Sequence, residues 1–277
     1  MIKLVLCDLD GTLLPQGAPH VPEKTLAAID RLQDGGVRFA PCSGRPLSCL
    51  DWMFSHAADS ITSAVLVNGQ VVILDGAIAY KKELDAKALE QLSQFVLAFD
   101  KTALVVDLDN HEYAVGVDQR LIDSNADVFG GHPSAMESFP KRPIVKSLIY
   151  AGGSPEQVEQ TRAACEHSFP AFDFVLPAPN QPVIDVLPRG WNKSSGAKKL
   201  QELLEVDSSE VCVFGNAEND IPLLKSFDNF AAVDDSTNLI HKMANHHIGA
   251  CSHQGVAAAL DEILSANKEG RATSFLL

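Results

Sequence analysis

MIKLVLCDLDGTLL, residues 1–14, is an apolar, β-rich run that stops abruptly at Asp8-Leu9-Asp10-Gly11-Thr12. A buried strand that ends in two carboxylates, a glycine and a hydroxyl sets the frame for the chain around it. After a loop with Pro15 and Gly17, residues 21–36 (VPEKTLAAIDRLQDGG) read as a helix. Pro22 lies near its start, Leu26, Ile29 and Leu32 fall on one face, and Gly35-Gly36 stops it. Short apolar runs at 37–41 and 63–67 read as further strands. Strands separated by helices predict a parallel sheet covered on its faces.

The middle of the chain changes style. Residues 71–80 are β-like, with a turn at Asp75-Gly76, and 83–99 are an amphipathic helix. Strand-like runs at 102–107, 112–117, 143–151 and 172–176 surround a helix at 155–168. From 184 onward the first style returns. PVIDVLP (182–188) is strand-like, KSSGAKKLQELLE (193–205) a helix, VCVFGN (211–216) a strand and DIPLLKSF (220–227) a helix. A strand at 230–233 and a helix at 254–265 follow. The expected organisation is an α/β core built from 1–81 and 184–277, with an α+β domain inserted at 82–183. The tail after Asn267 is expected to be partly ordered at best.

Composition narrows the function classes. The 277 residues carry 22 Lys and Arg against 36 Asp and Glu, a net charge of −14, and mean hydropathy is +0.03. That is globular chemistry, and it disfavours binding to polyanions such as nucleic acid. No apolar stretch approaches the roughly 20 residues of a membrane span. The N-terminus is too short and too acidic to read as a secretory signal. Six scattered cysteines without a CxxC pair suggest reduced thiols, so a cytoplasmic location is expected.

Ligands of open α/β sheets sit at the carboxyl ends of the strands. After the apolar runs come Asp8 to Thr12, then Ser43-Gly44-Arg45, Asn68-Gly69, Asn192-Lys193, and Gly215 to Asp220. These supply carboxylates, a hydroxyl, cations and glycines, a set suited to phosphate and a hard metal. Asp8 and Asp10, two apart, leave the same face of a strand end. One can attack phosphorus while the other handles protons. A bare DxD is more often a pair of solvated loop acids, but the full DLDGTL string after a buried strand favours the chemical reading.

DLDGTLL (8–14), SGRP (43–46), the lysine of WNKSSG (191–196) and GNAENDIPLL (215–224) resemble the four motifs of the haloacid dehalogenase-like hydrolases. Their order, and the large insert, resemble the Cof-type phosphatases. The resemblance implies a Rossmann-like parallel-sheet core with helices on both faces, plus an inserted α+β cap that closes over the core. It implies Asp8 as nucleophile, Asp10 as general acid and then base, and Lys193 as the cation that neutralises Asp8 and phosphate. The implied substrate-binding residues are Thr12, Ser43, Gly44, Arg45, Asn68 and Asn219. The implied magnesium ligands are Asp8, Asp10, Asn216 and Asp220. Where the family has aspartate at position 216, this chain has Asn216, so weaker magnesium binding is expected.

The function implied is magnesium-dependent hydrolysis of small phosphorylated metabolites, sugar phosphates first, through an aspartyl-phosphate. Two alternatives remain on the same residues. One is a phosphosugar mutase or phosphotransferase, and the other a non-catalytic phosphometabolite-binding protein. Neither nucleic acid nor a membrane is an expected partner. Other signals are set aside. Cys42 before SGR lacks the longer cradling loop of a cysteine phosphatase and reads as a buried thiol. His241, His246, His247 and His253 cluster in sequence but match no strong zinc spacing, so they read as surface or packing histidines. Trp191 reads as packing.

Overall fold

The computed structural model describes residues 1–129, 132–176 and 182–277. It divides into two units, Met1–Lys81 with Asn192–Leu277, and Lys82–Trp191. In chain order the first unit opens with β1 (Leu4–Cys7), α1 (Glu23–Asp34), β2 (Arg38–Pro41), α2 (Ser48–Phe54), β3 (Ala64–Leu66), β4 (Val71–Leu74) and β5 (Ala77–Lys81). The second unit holds α3 (Ala86–Val96), β6 (Thr102–Leu108), β7 (His111–Val115), α4 (Gln119–Ser124), β8 (Ser134–Met136), β9 (Ser147–Ala151), α5 (Pro155–Ser168), β10 (Phe172–Val175) and β11 (Val183–Pro188). The first unit resumes with α6 (Lys193–Leu203), β12 (Val211–Gly215), α7 (Ile221–Leu224), β13 (Phe230–Val233), α8 (Asn238–Met243), β14 (His246–Ile248) and α9 (Gly255–Glu269).

The first unit is the α/β core. Its main sheet has the order β14-β13-β12-β1-β2, and every neighbouring pair is parallel. Its central strands are short and buried along their whole length, as strands covered on both faces must be. Leu4, Leu6, Val211, Val213 and Ala232 share one apolar cluster with Ala197 and Leu200 of α6. The two halves of the unit also meet through helices. Arg31 of α1 pairs with Asp261 of α9 at 2.8 Å, and a side chain at Gly35 would collide with Leu264. A smaller antiparallel sheet, β3-β4-β5, turns at Asp75-Gly76. Both turn residues have positive φ, +52° and +76°, the conformation a two-residue hairpin loop needs.

The second unit is a mixed sheet of order β10-β11-β9-β6-β7-β8. All its pairings are antiparallel except β7 with β8. Strand alternation gives it two apolar faces. Leu104 and Val106 of β6 pack with Leu89, Leu92, Val158 and Cys165 of α3 and α5. Ala103 and Val105 face the other way, with Ile122, Phe129 and Tyr150.

Several boundaries differ from the sequence reading. The strand at 183–188 pairs with β9 and β10, so the change of unit falls at Asn192 rather than at 184. Its Ile184 and Val186 complete the apolar face of the second unit, and an apolar run does not declare which sheet will bury it. Trp191 also lies in the second unit, with the Lys82 ammonium 5.6 Å from its ring centroid. The short α2, α4, β8, α8 and β14 were not read from the sequence. The tail beyond Asn267 is ordered rather than loose. Arg271 pairs with Glu262 at 2.6 Å, Thr273 is buried, and the Phe275 ring lies 6.0 Å from that of Phe214. Among the described residues no helix is long and apolar enough to cross a membrane.

Candidate active site

Every strong motif of the sequence falls at one end of the core sheet. Asp8 continues β1, its N–H donating to the Phe214 carbonyl at 3.0 Å. The chain then turns, and the Leu9 carbonyl accepts from the N–H groups of Thr12, Leu13 and Leu14. Gly11 sits in this turn at φ +80°, and a Cβ there would meet the Asn216 side chain at 2.3 Å. Glycine therefore serves both the left-handed turn and the close approach of the fourth motif.

Lys193 is the first residue of α6 and is 1% exposed. Its Nζ donates to Asp8 Oδ1 at 2.5 Å and to Asp220 Oδ1 at 2.8 Å. Asn192 caps the helix, accepting from the N–H groups of Ser194 and Ser195, while the Ser195 hydroxyl accepts from the Asn192 N–H. The cap fixes where α6 begins, and so where the lysine is launched. Gly69 and Gly196 let the β3–β4 loop lie against this turn. A Cβ on Gly69 would come within 2.3 Å of the Asn192 carbonyl.

The buried triad has a clear electrostatic logic. Two carboxylates hold the Lys193 ammonium above the ordinary lysine range despite its burial. Burial pushes the Asp8 carboxyl up, to about 7, while the ammonium pulls the other way and Asp220 adds to the rise. The result is a fixed cation beside a carboxylate that is poorly solvated, which suits a nucleophile. Asp220 Oδ2 accepts from the N–H groups of Asn216 and Ala217 at 2.9 and 3.2 Å. Gly215 makes room, since a Cβ there would meet that oxygen at 2.8 Å. Asp220 thus ties Lys193 to the 215–220 loop.

Asp10 stands apart, with its side chain half exposed. Its two oxygens accept from Nε and Nη2 of Arg45 at 2.6 and 2.7 Å. The Arg45 guanidinium lies 5.4 Å from the Trp52 ring centroid, a cation–π contact that helps to aim it. Ser43 is buried. Its N–H donates to the Val65 carbonyl and its carbonyl accepts from the Asn68 N–H. Gly44 leaves space for the Asn68 amide, whose oxygen would lie 3.0 Å from a Cβ. Val67 and Asn68 both have positive φ, +52° and +50°. A β-branched residue in that region is strained, and the strain sits in the loop that carries Asn68.

The donor set fits a hard cation. Asn216 Oδ1 and Asn219 Oδ1 are buried oxygens with no hydrogen-bond partner, and an unsatisfied buried acceptor costs about 1–3 kcal/mol. Magnesium takes oxygen ligands. Asp8, the Asp10 carbonyl and Asn216 could hold it, with Asp220 behind them. Since Asp220 already bonds to Lys193 and two backbone N–H groups, its expected part as a direct ligand is not the one this geometry favours. Cys42 is a free buried thiol, and burial raises its pKa and so disfavours the thiolate. The sequence reading missed the Asn192 cap, the Gly69–Gly196 contact and the Trp52 shelf. Only the cap has a sequence signal, an asparagine directly before a helix.

The model of the haloacid dehalogenase-like hydrolase family matches residues 5–260. The chain belongs to that family. Among curated relatives of this hydrolase is the 5-amino-6-(5-phospho-D-ribitylamino)uracil phosphatase YbjI of Escherichia coli. It is 24% identical over 263 residues, covering 95% of this chain and 96% of the relative. Among solved structures, the phosphatase BT1666 of Bacteroides thetaiotaomicron superposes with a TM-score of 0.79 at 21% identity, covering 94% of each chain. The subclass IIB sugar phosphatase BT4131 gives a TM-score of 0.73 at 17% identity, covering 94% of this chain and 98% of that one. These likenesses carry the fold, a parallel α/β core with an inserted mixed-sheet domain.

Proposed function

We propose that this haloacid dehalogenase-like phosphatase hydrolyses small phosphomonoesters, sugar phosphates first, by double displacement through phospho-Asp8. The observation that carries the reading is the Lys193 ammonium held between Asp8 and Asp220, with Asp10 two residues beyond the nucleophile. Asp8 Oδ1 is engaged by Lys193, and Oδ2 is the oxygen left to attack. An Oδ2–phosphorus bond forms, the bond to the leaving alkoxide breaks, and Asp10 gives that oxygen a proton. In the second step Asp10 takes a proton from water, the water oxygen bonds to phosphorus, and the acyl phosphate breaks to release phosphate. Bound magnesium would offset the repulsion between an anionic nucleophile and an anionic substrate.

Arg45 has a place in this scheme. In the resting arrangement it occupies both Asp10 oxygens. An incoming phosphoryl group offers the guanidinium a competing bidentate partner, which would release Asp10 for proton transfer. The sugar-phosphate preference rests on the subclass IIB likeness. A phosphorylated ribityl compound, as in the name of the Escherichia coli relative, belongs in the same panel of candidates.

The test is phosphate release from a panel of sugar and ribityl phosphates, with and without magnesium, for the natural chain and Asp8→Asn. Magnesium-dependent turnover that falls about a thousandfold or more in Asp8→Asn is expected, with phosphate recoverable on Asp8 after acid quench. Rearranged sugar phosphate instead of free phosphate would make the enzyme a mutase. Binding without turnover at every magnesium concentration would favour a non-catalytic role and point to Asn216.

A further inference from the structure

We propose a second metal site, for a transition metal such as zinc, formed by Asp234, His241 and His247. The ligand atoms of these three side chains all lie within 4.8 Å of one another. They come from three elements of the core unit. Asp234 follows β13, His241 lies on α8, and His247 lies on the edge strand β14. The two imidazoles pack with centroids 4.3 Å apart and planes tilted by 37°. Among the described residues none of the three side chains makes a hydrogen bond to another. His247 Nδ1 is buried with no hydrogen-bond partner, so the cluster holds a donor with nothing in the protein to satisfy it.

The neighbouring groups sharpen the assignment. Asp235, next in sequence, spends its carboxylate on the N–H groups of Cys251 and Ser252 at 2.7 and 3.1 Å. It anchors a turn, and Asp234 does not. His246 and His253 are outside the converging set, so sequence proximity of histidines was the wrong guide and the aspartate was the missing member. Metal–ligand bonds of about 2.0–2.2 Å put neighbouring donors roughly 3–4 Å apart around one ion. Small side-chain rotations therefore close this set. Two imidazoles and one carboxylate favour zinc, nickel or copper over magnesium. Asp234 and His241 are exposed, which leaves solvent access for water in the remaining coordination positions.

The site would pin α8 and the edge strand to the loop after β13. That loop reaches the catalytic end of the sheet, because the Thr237 N–H donates to the Asn216 carbonyl at 2.8 Å.

The experiment is equilibrium dialysis of the full chain against micromolar zinc in millimolar magnesium, with metal counted by elemental analysis. Cobalt absorption reports imidazole ligation in parallel. One zinc per chain is expected in the natural protein and in Asp8→Asn. His241→Ala and His247→Ala should each weaken it at least tenfold, and Asp234→Asn less. His241 is exposed on a short helix, so its variant keeps the fold, and its magnesium-supported turnover should be unchanged. No zinc in the natural chain, equal zinc in the histidine variants, or loss of zinc in Asp8→Asn would each overturn the proposal.

Discussion

The two units bury polar atoms in opposite ways. Among the described residues of the inserted unit the buried polar side chains are Ser93, Thr102, Asn125, Ser147 and Thr161. Each donates to a backbone carbonyl, those of Glu90, Asp100, Leu121, Val105 and Gln157 respectively. None of the five is charged, and each has a local structural explanation. The core unit instead buries Asp8, Lys193 and Asp220 and leaves the oxygens of Asn216 and Asn219 without partners. Buried ion groups and orphaned acceptors are costly. Their concentration at the carboxyl end of one sheet marks where the molecule gives up stability for chemistry.

Removing the cation should break this contrast most. Lys193→Met leaves two carboxylates buried without their ammonium. A loss of about 3–5 kcal/mol is expected, together with at least a thousandfold loss of turnover. Thermal unfolding and phosphate release check both. A variant as stable as the natural chain would mean that the carboxylates are solvated or share a proton, and the buried triad would not be the organising feature.

The inserted unit should respond to lost apolar volume rather than lost charge. Phe172 is fully buried in its main apolar cluster, and Phe172→Ala should cost about 3–5 kcal/mol. Segment-resolved hydrogen exchange tests where that cost falls. Protection should drop in 82–191 while β1, β12 and α6 keep theirs. An equal drop in both units would show that they unfold as one.

How much of this was legible in the sequence follows from the same contrast. Asp8, Asp10, Ser43 and Arg45 stand just after the short apolar runs of β1 and β2, and strand ends are where a parallel sheet puts its ligands; Lys193 instead opens α6 after a strand of the other sheet. The Asp75-Gly76 turn was legible too, because two positive φ values demand such residues. The return to the core was misplaced by eight residues, from 184 to 192, because Val183–Pro188 is equally apolar whichever sheet takes it. The Asp220 carboxylate bonds to Lys193, and His241 meets Asp234, only through tertiary approach, which no local spacing encodes. The ordered tail depends on Arg271 finding Glu262, again across a helix end.

Asn216→Asp should have a smaller effect of mixed sign. A carboxylate in place of the orphaned amide oxygen adds a charge for a cation and adds repulsion with Asp8 and Asp220 without one. Magnesium affinity by calorimetry should rise about tenfold, or ~1.4 kcal/mol, and the metal-free melting temperature should fall. Unchanged affinity would remove position 216 from the metal and leave its buried oxygen without a role.

The smallest effect should come from the inserted unit's own ion pair, Arg142 with Asp109, bidentate at 2.7 and 2.8 Å. Both side chains are exposed, at 49% and 75%, and exposed pairs contribute little. The guanidinium holds the Asp109 carboxyl below the ordinary value of 3.8. A depressed carboxyl pKa contributes stability above the unfolded value, and that contribution is lost as pH falls through the folded one. Arg142→Ala should therefore lower the melting temperature by a degree or so at most at neutral pH. The difference should shrink below pH 3.8 and in high salt, where the screening length is about 3 Å at 1 M. A loss as large as that of Lys193→Met would sink the contrast between the two units. It would mean that charge pairing stabilises both alike, whether buried at a strand end or exposed on a loop.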